Sequence, residues 1–305
     1  MPAGPCLLCG KDAELQLSHV LPAFVFRWLR ESSGNGFIRS NRSPNRRVQD
    51  GEKRYWLCVD CEQLFGGWEK SFAERLFQPY LKSSGEPIGY AHWLMRYCVS
   101  VSWRVLQYFQ EHGVFKTLEP HSLAHVEGAE KAWRDYLLGR RKRPGEFEVH
   151  LLPLDRIEST TMPLVPQINR YVMRACHIDF LQGKDEIFTY AKMGRFIVIG
   201  MIHEPNKVRW KGTKVDPVNG MVRPRKYELP VSLLEYLKEK AQETHTALAS
   251  VSPKQRQKID EAFRANIDQL AKSDAFVAMN ADVEMFCFDA FYAPEEGPDE
   301  QSPLS

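Results

Sequence analysis

Cys6-Leu7-Leu8-Cys9-Gly10 and, 48 residues further along, Cys58-Val59-Asp60-Cys61-Glu62 decide how the first part of this chain folds. Each pair spaces two sulfurs so that one tight turn can present both to one metal. Zinc takes four such thiolates at tetrahedral corners. Gly10 follows the first pair, where the turn favours a residue tolerant of positive φ. The second pair follows the strand-like residues 54–57 and leads into a helix predicted to start at Cys61. Knuckle, intervening structure, strand, second pair and helix is the order of a treble-clef module, with Cys6, Cys9, Cys58 and Cys61 holding a structural Zn2+. Chance pairing is the alternative, and finding both pairs within the first 61 residues argues against it.

Seven cysteines, an odd number, suit metal in a reducing compartment better than a disulfide framework, so a cytoplasmic location is expected. Cys98, Cys176 and Cys287 stand alone, and the first two read as core thiols. The 305 residues, 43% hydrophobic and 26% charged, allow one small module and a larger globular domain. A net charge of +2 makes no global case for nucleic acid or membrane. The start has no signal-peptide pattern, and no stretch reaches the roughly 18 apolar residues of a membrane span, so no membrane partner is expected.

The predicted class is α+β: a treble-clef zinc module over residues 1–85, then a larger mixed domain over 88–293 with an antiparallel sheet and helices. Residues 294–305 form an acidic tail rich in proline and serine that reads as disordered. In the larger domain, Leu94, Cys98, Val101, Val105 and Tyr108 recur at helical steps across residues 90–110. Residues 123–138 also read as helix, and the basic run after them complements its dipole. Residues 146–152, 175–181, 187–191 and 196–202 read as strands of an antiparallel meander. Helices are predicted over 231–249 and from the Ser252-Pro253 start to about residue 272.

Between the cysteine pairs, Leu17-Ser18-His19-Val20-Leu21-Pro22 reads as a short strand bearing the only histidine of the zinc module. A helix follows over 23–30. Residues 37–55 read as a basic loop, in which Arg39, Arg42, Arg46, Arg47, Lys53 and Arg54 outnumber Asp50 and Glu52. Arginine forks suit phosphate oxygens; a solvated surface loop explains the composition equally well. In the helix after the second pair, Glu62 and Glu69 are two turns apart on one face. Glu62 sits where the helix dipole alone would favour an acid. Gly66-Gly67 costs about 1 kcal/mol per glycine relative to alanine and points to a kink or to another backbone close by.

CLLCG at 6–10, LSHVLP at 17–22 and LCVDCE at 57–62 together resemble the zinc-knuckle branch of the HNH endonuclease (ββα-metal) superfamily, over about residues 6–76. The resemblance implies a structural zinc on the two cysteine pairs and a strand histidine that activates water. It also implies a residue directly after the second pair that helps bind a catalytic divalent metal, which stabilises charge on the scissile phosphate. Carried over, His19 is the base and Glu62 stands in for the metal-ligating residue. Glu69 or Asp50 would complete a carboxylate set for Mg2+ or Mn2+, and Arg39, Arg42, Arg46, Arg47 and Arg54 would contact nucleic acid. Two departures stand out. The family's acid before the histidine is Ser18 here, and its asparagine ahead of the second pair is absent from residues 52–57. The whole chain also resembles bacterial proteins with this N-terminal pattern, some encoded near anti-phage defence genes.

The expected activity is hydrolysis of DNA phosphodiester bonds, RNA being the less favoured substrate. The alternatives are a non-catalytic zinc module that binds nucleic acid or protein, and a subunit of a defence or toxin assembly active only with a partner. A nuclease predicts His19 and Glu62 facing each other across one open groove, with the basic segment on its rim. In the larger domain, Lys207, Arg209, Lys211, Lys214, Arg223, Arg225 and Lys226 surround Trp210 and Tyr227. That cluster reads as a polar hairpin at a sheet edge in preference to a nucleic-acid grip. His177 and His203 read as structural, and Trp93, Trp103 and Trp133 as core.

Overall fold

Two short strands and a helix enclose the four cysteines. The computed structural model describes residues 2–48, 50–83, 85–159, 163–224 and 227–287. The tail expected at 294–305 lies outside the described residues, as do Arg225 and Lys226. A hairpin of β1 (Ala3–Pro5) and β2 (Asp12–Glu14) carries the first cysteine pair. Next come β3 (Gln16–His19), α1 (Ala23–Glu31), β4 (Ile38–Ser40), β5 (Ser43–Val48), β6 (Lys53–Leu57) and α2 (Val59–Phe72). β3 pairs antiparallel with β6, and α2 follows β6, completing the ββα unit.

Three local expectations change. Residues 38–48 form a hairpin rather than a loop; its strands lack apolar alternation because most of their side chains stay outside the core. α2 starts at Val59, so Cys58 caps it and the second pair straddles the helix N-terminus. α2 passes through Gly66-Gly67 unbroken, and nothing lies within 4 Å of where a Cβ would stand on either glycine. The irregularity falls later, in a π turn over Ala73–Phe77 that leads into α3 (Gln78–Lys82).

The larger part continues with β7 (Ile88–Ala91), α4 (Trp93–Glu111), α5 (Pro120–Leu137), β8 (Val149–Pro153), α6 (Ile168–Arg174), β9 (Cys176–Gln182), β10 (Ile187–Met193), β11 (Phe196–His203) and β12 (Asn219–Val222). α7 (Val231–Ala249), α8 (Pro253–Ala265), α9 (Ile267–Ala271) and α10 (Asp274–Phe286) end the described chain. The last predicted helix is thus interrupted at Asn266. Tyr90 belongs to β7, which pairs with β12, and not to the helix after it.

The main sheet is antiparallel in the order β8-β11-β10-β9, so only β9 to β11 form the predicted meander. On β11, Phe196, Val198 and Ile202 join the core shared with α4, while Ile197, Ile199 and Met201 join a second core with α6 and α7. Cover on both faces explains the unbroken apolar run. Gly200 permits the close approach of α4, since a Cβ there would lie 2.7 Å from Ser102 Cβ. Trp93, Cys98, Trp103 and Trp133 are buried, as expected.

One hydrophobic cluster runs from Cys6 through α2 and α4 into the sheet. Phe72 of α2 stacks on Tyr97 of α4 with ring centroids 4.0 Å apart, a geometry that contributes about 0.5–1.5 kcal/mol beyond its buried area. The segment between the cysteine pairs reaches across to the C-terminal helices. Trp28 Nε1 donates to Asp274 Oδ2 at 3.0 Å, Asn41 Nδ2 to Thr244 Oγ1 at 2.9 Å, and the Ser252 N–H to Asn45 Oδ1 at 2.9 Å. Among the described residues, no helix is long and apolar enough to cross a membrane.

Candidate metal centre and the adjoining polar site

The ligand atoms of Cys6, Cys9, Cys58 and Cys61 all lie within 4.8 Å of one another, and Cys9 Sγ is 3.8 Å from Cys58 Sγ. A zinc–sulfur bond of about 2.3 Å gives a tetrahedron with edges of roughly 3.8 Å. The knuckle is built by backbone bonds: Gly10, at φ +79°, donates its N–H to Cys6 O at 2.8 Å, and Leu7 N–H ties the turn to Trp56 O of β6 at 2.8 Å. Burial opposes ionisation of Cys6, yet the N–H groups of Cys9, Cys58 and Leu8 outweigh it and bring the thiol to about 7. Burial and the neighbouring sulfurs push Cys61 the other way. Four sulfurs this close match the corners of such a tetrahedron, and the donor set could bind a zinc ion.

The polar site begins where β3 ends. Neighbouring side chains on a strand point to opposite faces, and Ser18 and His19 do so. Ser18 is buried and donates its hydroxyl to Glu62 Oε2 at 2.5 Å. His19 keeps 18% of its side chain exposed, and its Nε2 stands 3.0 Å from Asp50 Oδ1, at an angle that falls short of a hydrogen bond. Asp50 Oδ2 is 2.7 Å from Lys53 Nζ, and Lys53 is the register partner of His19 on β6. Burial raises the Asp50 carboxyl, but Lys53, His19 and the Gly51 N–H outweigh it and hold it at about 2. His19 therefore faces a stable carboxylate instead of facing Glu62 across a groove. Glu62, which meets Ser18, and Asp50, which meets His19, thus lie on opposite faces of β3.

Glu69 is taken up elsewhere. Arg104, in the middle of α4 and 3% exposed, brings Nη1 to 2.7 Å from Glu69 Oε1 and donates from the same atom to the backbone carbonyl of His19 at 2.9 Å. Among the described residues, only the four cysteines bring three or more metal-ligating side chains together. No carboxylate set for Mg2+ or Mn2+ is thus assembled from Glu62, Glu69 and Asp50. Sequence reading missed Arg104, although a lone arginine between Val101 and Val105 on an apolar helix was a visible signal.

The basic residues divide as well. Arg54 is engaged by Glu52 Oε2 at 3.1 Å and Glu111 Oε2 at 3.2 Å. Arg39 donates to Pro44 O at 2.9 Å and Gln255 Oε1 at 3.3 Å. Arg47 lies over the exposed Phe37 ring, 3.6 Å from its centroid, and Arg42 and Arg46 are exposed. In the larger domain, Lys207 and Lys214 flank Glu148, Arg209 pairs with Glu186 and Glu204, and Lys211 pairs with Glu228. Trp210 is buried and donates to Glu204 at 3.0 Å. These cations are neutralised in place, as a polar sheet edge requires.

The chain matches no protein-family model, no curated protein and no solved structure.

Proposed function

We propose that the zinc module is a divergent HNH-like nuclease acting on nucleic acid, with DNA the favoured substrate. The observation that carries this reading is the pair of contacts at the end of β3. Ser18, at the position of the family's acid, meets Glu62, the residue directly after the second cysteine pair, while the adjacent His19 faces Asp50. A histidine beside a carboxylate is the arrangement of a general base, and such contacts are often loose until substrate arrives. In this reading Asp50 orients the ring and stabilises the imidazolium, leaving Nδ1 to take a proton from water.

A hard divalent cation would have Glu62 as its one protein carboxylate. Magnesium commonly takes one or two carboxylates, several waters and the substrate's phosphate. Such an ion would supply charge stabilisation at the phosphate. Arg42, Arg46 and Arg47 would contribute sequence-independent phosphate contacts. A second reading, a zinc-stabilised module that binds without cutting, is favoured by the ion pair that withdraws Glu69 and by His19 and Glu62 meeting opposite faces of β3 instead of facing each other across one groove. A protein partner in a defence or toxin assembly fits either reading.

The test is cleavage of supercoiled plasmid and of single-stranded oligonucleotide with Mg2+ or Mn2+, comparing wild type, His19→Ala and Glu62→Gln at equal zinc content. Cleavage lost in both variants is the expected result. A zinc-loaded wild type that binds either substrate without cutting it would leave the binding module in its place.

A further inference from the structure

We infer that the start of α8, in the C-terminal part of the chain, joins the β4–β5 hairpin in one surface that binds the phosphate backbone of nucleic acid. The inference rests on the nucleic-acid reading for its ligand class and adds residues outside the zinc module. The two elements are in direct contact. Asn45 Nδ2 donates to Ser250 O at 3.3 Å, the Ser252 N–H donates to Asn45 Oδ1 at 2.9 Å, and Arg39 Nη2 donates to Gln255 Oε1 at 3.3 Å. Lys254 and Arg256 are the sequence neighbours of Gln255, and Lys258 lies one turn further along the same helix. All three are exposed, as are Arg42, Arg46 and Arg47 on the hairpin.

Among the described residues none of these six cations has an ion pair, whereas Arg54, Lys211 and Lys214 each stand within 3.2 Å of a carboxylate. Arg47 is also the cross-strand register partner of Arg39, and like charges directly opposite destabilise a strand pair. Burial and the facing Arg47 pull the Arg39 guanidinium below its usual value. The acids of α8, Asp260 and Glu261, come later in the helix, and Glu261 is taken up by Gln257. A polyanion laid across both elements answers this charge. The chemistry of the surface selects nucleic acid over an acidic protein. Protein interfaces are centred on buried apolar and aromatic anchors. The exposed positions of α8 carry no large apolar side chain, and the exposed aromatic beside the hairpin, Phe37, already has Arg47 stacked on it. Phosphate contacts need flexible charged side chains and no apolar centre. β5 ends at Val48, two residues and at most about 7 Å of chain from Asp50, so the surface adjoins the His19 site.

The experiment follows the anisotropy of a fluorescein-labelled DNA duplex between about 50 and 200 mM salt. It uses the full chain carrying His19→Ala, so that nothing is cut. Roughly six phosphate contacts predict that log K falls with log salt at a slope of about −5. Lys254→Ala/Arg256→Ala/Lys258→Ala should weaken binding at the lower salt by about tenfold and make the slope shallower by about 3. Lys211→Ala removes a cation already paired with Glu228 and should leave both unchanged. Equal zinc content and melting temperature exclude misfolding at these exposed positions. A triple variant that binds and responds to salt like its parent overturns the surface, even where cleavage still depends on His19. Binding that depends on α8, in a chain that never cuts with His19 intact, supports the surface and overturns the nuclease reading. Poly-glutamate that displaces the duplex at equal charge concentration overturns the choice of nucleic acid and assigns the surface to an acidic protein. No binding of the duplex overturns the surface and the nucleic-acid reading together.

Discussion

Arg104 Nη1 donates a 2.9 Å hydrogen bond to the backbone carbonyl of His19, 85 residues earlier in the chain. The same atom stands 2.7 Å from Glu69 Oε1 on α2. A buried cation of the larger domain thus holds both the strand that ends in His19 and the helix that follows the second cysteine pair.

Replacing Arg104 with methionine removes a donor from one partner and the counter-charge from the other. Breaking a buried pair costs about 3–5 kcal/mol; Glu69 keeps some solvent, so the expected loss is near the lower end, about 3 kcal/mol. Urea unfolding followed by tryptophan fluorescence measures it. Lysine cannot reproduce the guanidinium fork, so Arg104→Lys should fall between the two. A midpoint unmoved by Arg104→Met would mean that the link carries no stability.

The purified chain should contain one zinc per molecule. Chelation under mildly destabilising conditions, or Cys58→Ser, should unfold the residues around Cys6 and α2, because binding free energy at such sites is folding free energy, about 10 kcal/mol or more. Zinc content with and without chelator, together with loss of amide protection in β3, β6 and α2, checks this. A metal-free protein that keeps full protection there would rule out a structural ion.

Lys192 gives the stability curve a basic-side slope. It is fully buried in β10, donates to Val172 O at 2.8 Å and to Gly194 O, and burial pushes its pKa from 10.5 down to about 7. Unfolded, the lysine keeps its proton to about pH 10.5; folded, it releases the proton near 7. The unfolded chain therefore holds more protons between those values, and stability rises with pH across that window. Urea midpoints at pH 7, 8 and 9 should increase for wild type and stay level for Lys192→Met, once other titrations common to both are subtracted. Equal slopes in the two proteins would show that Lys192 releases no proton in this range.

Much of this could be read from residue order, because it depends on local spacing. The helical steps of Leu94, Cys98, Val101 and Val105 place α4, and the apolar run at 196–202 places β11, although only the structure shows cores on both of its faces. Local reading failed where side chains far apart in sequence supply the stabilisation. The β4–β5 hairpin looks like a polar loop, yet it is braced through Asn41 and Asn45 by α7 and the start of α8. The Gly66-Gly67 pair looks like a break, yet it sits on an open helix face where nothing presses on it.

Residue order alone carries the four-cysteine cluster that could bind zinc, the α+β class and the strand bearing His19, since each follows from local spacing. Tertiary structure alone decided which acid each polar group meets. Ser18 takes Glu62, His19 takes Asp50 and Arg104 takes Glu69, at sequence separations of 44, 31 and 35 residues. A polar group that leaves water must find its partner in space: β3 pairing with β6 brings Asp50 to His19, α2 against β3 brings Glu62 to Ser18, and α4 against α2 brings Arg104 to Glu69.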